Sequence, residues 1–257
     1  MKITEHVEAL ETAGRALAEA ASEAGPDAEV PTCPGWRVRD LLRHTTMVHR
    51  WATTFVVEGH TEYHPGGGEP ALDGDELLAY YREGHAGLVA ALRAAPEELE
   101  CWTFLPAPSP LAFWARRQAH ETTVHRADAE SALATGPGTV SPALAVDGID
   151  ELLCSFHGRD RSRVRTPEPR TLRVRTTDTG DVWTVRLSET EPPRTERGSR
   201  ATAEDDDTGK PVDTELSGPV GRLYLSLWNR LPAGAVELTG DETLARLWRE
   251  NSGITWS

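Results

Sequence analysis

The 257-residue sequence predicts a two-domain α+β protein, a four-helix bundle over 1–137 followed by a smaller α/β domain over 138–257. Three observations predict it. Four stretches of roughly 20 residues with helical apolar spacing are separated by Pro- and Gly-rich breaks. The triplet Gly136-Pro137-Gly138 then punctuates the chain. Beyond it the pattern changes to short segments that alternate polar and apolar residues, as half-buried strands do.

Residues 2–24, rich in Ala, Glu and Leu, form the first expected helix, which Gly25-Pro26 ends. Pro31-Thr32-Cys33-Pro34-Gly35-Trp36 reads as a rigid turn, because its prolines fix φ and its glycine permits the bend. A second helix is expected over 38–57, a loop over 59–75, a third helix over 75–95 and, after Pro106, Pro108 and Pro110, a fourth over 111–135. The second domain opens with a helix at 142–157. Segments 170–177 (RTLRVRTT) and 181–188 (DVWTVRLS) alternate as strands, joined in a hairpin by Asp178-Thr179-Gly180. The polar run 194–213, which contains Glu204-Asp205-Asp206-Asp207, is expected to be irregular or mobile. A strand at 213–217, a helix at 219–231, a short strand at 235–239 and a helix at 241–250 complete the chain.

Composition excludes several function classes. A net charge of −14 argues against a nucleic-acid partner, which needs a basic face to neutralise phosphates. No stretch approaches the ~20 consecutive apolar residues that span a bilayer, so no membrane partner is expected. The N-terminal MKITEHVEALETAG carries charges where a signal peptide has its apolar region, and a cytoplasmic location follows. Cys33, Cys101 and Cys154 are odd in number and widely spaced, which fits neither a disulfide framework nor a thiolate-rich zinc site. A metal site must therefore be built from histidine and carboxylate.

Helical geometry sorts the nine histidines. Leu41, His44, Val48, Trp51 and Phe55 fall within about 80° of one another on the second helix, so His44 points inward. His49 lies about 140° away and is expected outward or to the side. On the fourth helix Trp114, Gln118, Glu121, His125, Ala129 and Ala132 make a comparable stripe. Glu121 and His125, four residues apart, share a face, whereas His120 does not. Two imidazoles and one carboxylate are a known set for a divalent metal with an open coordination position; zinc suits it, as do iron, nickel and cobalt. Asp128, about 60° from His125, is placed either to orient that histidine or to pair with Arg126 or Arg117. Cys33, Trp36, Trp51 and Trp114 read most simply as packing residues.

The stretch CPGWRVRDLLRH at 33–44 resembles the second-helix entry of the mycothiol-dependent maleylpyruvate isomerase family, and RRQAHETTVHRADAE at 116–130 resembles that family's fourth-helix motif. Residues 220–230 and 236–249 are similar to its C-terminal pattern, so the resemblance covers nearly the whole chain. It implies a DinB-like four-helix bundle with zinc on His44, Glu121 and His125, then a smaller α/β domain. It also implies mycothiol, a small thiol of actinobacteria, as cofactor. In the isomerase the metal prepares that thiol as a thiolate, which adds to maleylpyruvate; rotation and elimination then give fumarylpyruvate. Related members transfer the thiol to another electrophilic small molecule. An arginine of the C-terminal domain contributes to the isomerase site, and the resemblance puts it at Arg230, which otherwise reads as a helix-end cation. The expected activity is a divalent-metal-dependent, mycothiol-using thiol transferase or isomerase. The rival readings are a metal-binding protein without turnover (sensor, carrier or structural module) and a metal-free interaction bundle.

Overall fold

Apolar residues at helical spacing give the first part of the chain four long helices: α1 (Ile3–Ala24), α2 (Val38–Glu58), α3 (Gly74–Ala94) and α4 (Pro110–Ser131). The structure, a computed structural model, describes residues 1–199 and 212–254. It divides into two units, Met1–Gly138 and Thr139–Ser257. In the first, α1 packs against α3 and α4, and α2 against the same two helices, so α1 and α2 lie on opposite corners. Leu10, Leu17, Leu41, Phe55, Leu77, Tyr81, Leu88 and Trp114 fill the space between them.

Local chemistry sets the helix ends. The Ser109 hydroxyl accepts the Ala112 amide (3.1 Å) and Pro110 follows it, a cap that starts α4 without stranded donors. The Asp40 carboxylate reaches back to the Arg37 amide (2.9 Å) at the start of α2. Just before it, the Trp36 amide donates to the Cys33 carbonyl (2.9 Å), with Pro34 second and Gly35 third at φ +87°. That is the signature of a type II turn, and only glycine adopts the third position without strain. Helix α4 stops four residues before the expected 135, because Leu133 and Gly136 close three-residue turns onto Glu130 and Leu133.

The second unit starts with α5 (Pro142–Asp150), which widens into a π-helical turn over Glu151–Phe156. Among the described residues five strands follow: β1 (Arg170–Thr176), β2 (Asp181–Leu187), β3 (Arg194–Ser199), β4 (Thr214–Gly218) and β5 (Glu237–Gly240). They form one sheet in the order β3-β2-β1-β4-β5, antiparallel except for the β1–β4 pair. Helices α6 (Val220–Leu227) and α7 (Glu242–Asn251) complete the unit. The expected hairpin is present, with Arg175 opposite Val182 next to the turn. Strand β3 corrects the expectation of irregular chain from 194. Among the described residues it is an edge strand, with no neighbour on one side, and it carries arginine and glutamate, such as the Arg186–Glu196 pair with β2, without burying charge. The rest of the acidic run, 200–211, lies outside the described residues. No helix among the described residues is long and apolar enough to cross a membrane.

Helix α6 ends at Leu227, four residues before the sequence periodicity predicts. Asn229 takes the left-handed conformation (φ 62°), its amide donates to the Ser226 carbonyl (3.0 Å), and the Arg230 amide donates to Leu225 (2.8 Å). These two bonds make a Schellman termination, with asparagine in the place glycine usually takes. The Asn229 side chain also donates to the Arg249 carbonyl (3.0 Å) and to Ser252 Oγ (3.3 Å), tying this turn to the end of α7. Asn229→Ala should destabilise the second unit by about 1.5 kcal/mol, since alanine tolerates the conformation less and lacks the bonds. Asn229→Gly should lose about half as much. Urea unfolding followed through strand signal tests the order Asn, Gly, Ala.

Candidate metal centre

Helix α2 carries His44 and α4 carries Glu121 and His125, and the packing of these helices brings the three together. His44 Nε2 lies 3.6 Å from Glu121 Oε1, and His125 Nε2 lies 3.2 Å from the same oxygen. One ligand atom from each residue falls within 4.8 Å of the others. A tetrahedral zinc with bonds of about 2.0–2.1 Å separates its ligand atoms by about 3.4 Å. The donors and their spacing therefore fit a small divalent ion.

The surroundings are built for charge. Glu121 is buried, and its second oxygen receives Arg117 Nη2 at 3.3 Å. Burial alone would push the Glu121 carboxyl pKa up, but hydrogen bonds from His125 and His44, with the charges of His125 and Arg117, hold it well below the usual carboxylate range. Burial pushes His125 down, yet Asp128 and Glu121 outweigh this and raise it to about 9. Without a metal, the cluster thus balances its negative charge with a proton on His125. A divalent ion would take over that role.

Asp128 takes the orienting place that spacing allowed, with its Oδ2 2.8 Å from His125 Nδ1; Arg126 pairs with Glu130 (3.4 Å) and Arg117 with Glu121 (3.3 Å). A bond at Nδ1 keeps a proton on that nitrogen and leaves Nε2 facing Glu121. Thr32 Oγ1 donates to the other Asp128 oxygen at 2.6 Å. Trp36 is half-buried, with its ring 5.1 Å from that of His44 and nearly parallel to that of His125 (18°, 6.4 Å). Trp36 packs against the bundle core, as expected, and its ring also borders those of His44 and His125. Neither Thr32 nor Trp36 stands out by periodicity, since both sit in a turn and meet partners on a distant helix.

One expectation is corrected. His49 is fully buried, with Nε2 2.8 Å from Thr122 Oγ1, not turned outward. Helix α2 is covered by both α3 and α4, so a residue 140° off the main stripe still faces protein. Burial pushes its pKa down to about 3, with the charge of His85 adding to the shift, so it is neutral in the fold. His120, off the Glu121 face as expected, is buried as well. Cys33 is half-buried against the bundle core, Trp114 is buried, and Trp51 stacks edge-on to it (5.4 Å). Arg230 belongs to the second unit, where its Nη1 donates to the Trp228 carbonyl (2.7 Å).

Comparison with known proteins follows the same division. The profile of the mycothiol maleylpyruvate isomerase N-terminal domain matches residues 7–130, and that of the corresponding C-terminal domain matches residues 143–247. No curated protein shows significant sequence similarity to the chain. Two crystal structures of the mycothiol-dependent maleylpyruvate isomerase share the fold. One, a histidine-to-alanine mutant, gives a TM-score of 0.62 at 12% identity, with 93% of each chain covered. The other gives 0.59 at 11%, again with 93% of each chain covered. Identity this low speaks for the architecture alone, whereas the two profiles together account for most of the sequence. On that ground the chain belongs to the mycothiol-dependent maleylpyruvate isomerase family.

Proposed function

We propose that this protein is an enzyme that binds one divalent ion, zinc by preference, on His44, Glu121 and His125, and uses it to activate the thiol of mycothiol for isomerisation or transfer. The observation that carries the reading is the convergence of His44 Nε2, Glu121 Oε1 and His125 Nε2 at the spacing of a small ion, in a chain of a family named for a mycothiol-using isomerase. Three protein ligands leave one coordination position for a sulfur or a water. The bound ion supplies a Lewis acid that lowers the pKa of a thiol at that position. Glu121 provides the negative charge, and Asp128 holds His125 with its Nε2 toward Glu121. Counting Glu121, Asp128, Arg117 and a dication, with both histidines neutral, the centre carries about +1, which favours an anionic sulfur. We assign the protein to the cytoplasm on the same reading; all three cysteines are free thiols.

Purified under mild conditions, the protein should retain close to one equivalent of metal; less than about 0.2 would sink the metal reading. With mycothiol present, maleylpyruvate should be isomerised or members of an electrophile panel converted to thiol adducts, and chelation should stop both. No metal-dependent turnover across that set would leave a metal-binding protein without catalysis. Arg230 is the proposed cationic contributor from the second unit. Arg230→Ala should lower kcat/KM by about 10-fold or more with zinc affinity unchanged. Unchanged turnover would return it to a helix-end role.

A further inference from the structure

Residues 31–36 carry two side chains that meet the metal centre, and the family resemblance assigns neither. Thr32 Oγ1 lies 2.6 Å from Asp128 Oδ1 across 96 positions of sequence, within the range of a strong hydroxyl-to-carboxylate bond. The Ser131 hydroxyl, 3.1 Å from Thr32 Oγ1, gives its proton to the Asp128 carbonyl at 2.6 Å, and the Thr32 proton goes to the carboxylate oxygen. Asp128 is fully buried, which makes each such bond a replacement for lost water. The second Asp128 oxygen then holds His125 Nδ1 at 2.8 Å. Four positions after Thr32, and fixed by the type II turn, Trp36 lies nearly parallel to the His125 ring.

We infer that Thr32 is a positioning residue of the metal centre, acting through Asp128 on His125, and that the 31–36 turn sets how tightly the ion is held. The inference rests on the metal-binding part of the proposed function. The carboxylate of Asp128 can rotate about its own bond to the chain, and the bond to His125 Nδ1 holds only one of its two oxygens. The Thr32 hydroxyl, coming from a separate element, fixes its plane. With that plane fixed, the imidazole keeps Nε2 toward Glu121. Removing the hydroxyl lets the imidazole wander, and the ion loses a well-aimed ligand without losing a ligand.

The test is chelator competition for zinc on the whole protein, comparing wild type, Thr32→Val, Thr32→Ser and Asp128→Asn. Asp128→Asn should weaken zinc by about 10–100-fold, the usual effect of losing a partner of a ligand histidine. Thr32→Val should weaken it by about 5–10-fold, and Thr32→Ser, which keeps the hydroxyl, should stay within about 2-fold. In the metal-free protein, the His125 Nδ1 proton, followed by nitrogen-15 NMR, should exchange faster in Thr32→Val than in Thr32→Ser. A merely structural role would lower the melting temperature of both metal-free variants and move neither readout. Wild-type zinc binding with Thr32→Val unaffected overturns this inference and leaves the proposed function standing. No zinc binding by wild type overturns both.

Discussion

Replacing His44, Glu121 or His125 with alanine should lower zinc affinity by more than about 100-fold, while His49→Ala should keep it within about 3-fold and lower stability instead. Losing a partner of a ligand already costs about 10–100-fold, and losing a ligand from a set of three costs more. His49 is more buried than any of the three proposed ligands and lies five residues along α2 from His44, which makes it the demanding control. Its imidazole bonds Thr122 Oγ1 on α4, so the alanine loses that bond and leaves a void. A cost of about 1–3 kcal/mol is expected. Chelator competition gives the affinities and urea unfolding the stabilities. If His49→Ala loses zinc as His44→Ala does, the ion sits elsewhere in the bundle and the trio is an ion-pair cluster.

That His44, Glu121 and His125 each point inward was legible in the sequence because a helix repeats about every 3.6 residues, while their grouping into one set came from the family resemblance. His44 shares its stripe with Leu41, Val48 and Phe55, all buried, and Glu121 and His125 lie one turn apart. The same rule failed for His49 because it assumes one covered face, and α2 has two. It had even less to say of α4, where Ala115, Ala119, Glu121, Thr123 and Ala127 are all buried and the helix has little outer face to define. Thr32 and Trp36 were invisible as site residues: their contacts run from a turn to helices, and turns carry no periodicity. Strand β3 was hidden by its charge, since an edge position removes the alternation by which buried strands are read. Where the chain packs on one side the pattern names the face; where it packs on two, only the fold does.

Acidification from pH 7 to pH 5 should cost each unit about 2 kcal/mol of stability through one buried neutral histidine. In the second unit it is His157, 1% exposed, with Nδ1 3.0 Å from Ser162 Oγ. Burial pushes its pKa down to about 4, the Arg159 charge adds to this, and a contact with the Ser252 backbone opposes it. In the first unit it is His49, at about 3. An unfolded histidine titrates near 6.5, so between that value and the folded one the unfolded chain binds a proton that the fold refuses. Stability is therefore complete above about pH 7 and falls on acidification by about 1.4 kcal/mol per pH unit for each group. In metal-free protein His125, at about 9, has the opposite sign and returns less than about 1 kcal/mol to the first unit over this range. The second unit has the cleaner readout. Urea unfolding of His157→Gln should show the pH slope between 6.5 and 5 reduced by close to one proton, whatever its effect on stability at pH 7. An unchanged slope would mean that His157 is protonated in the fold, with its charge paired where the structure shows burial.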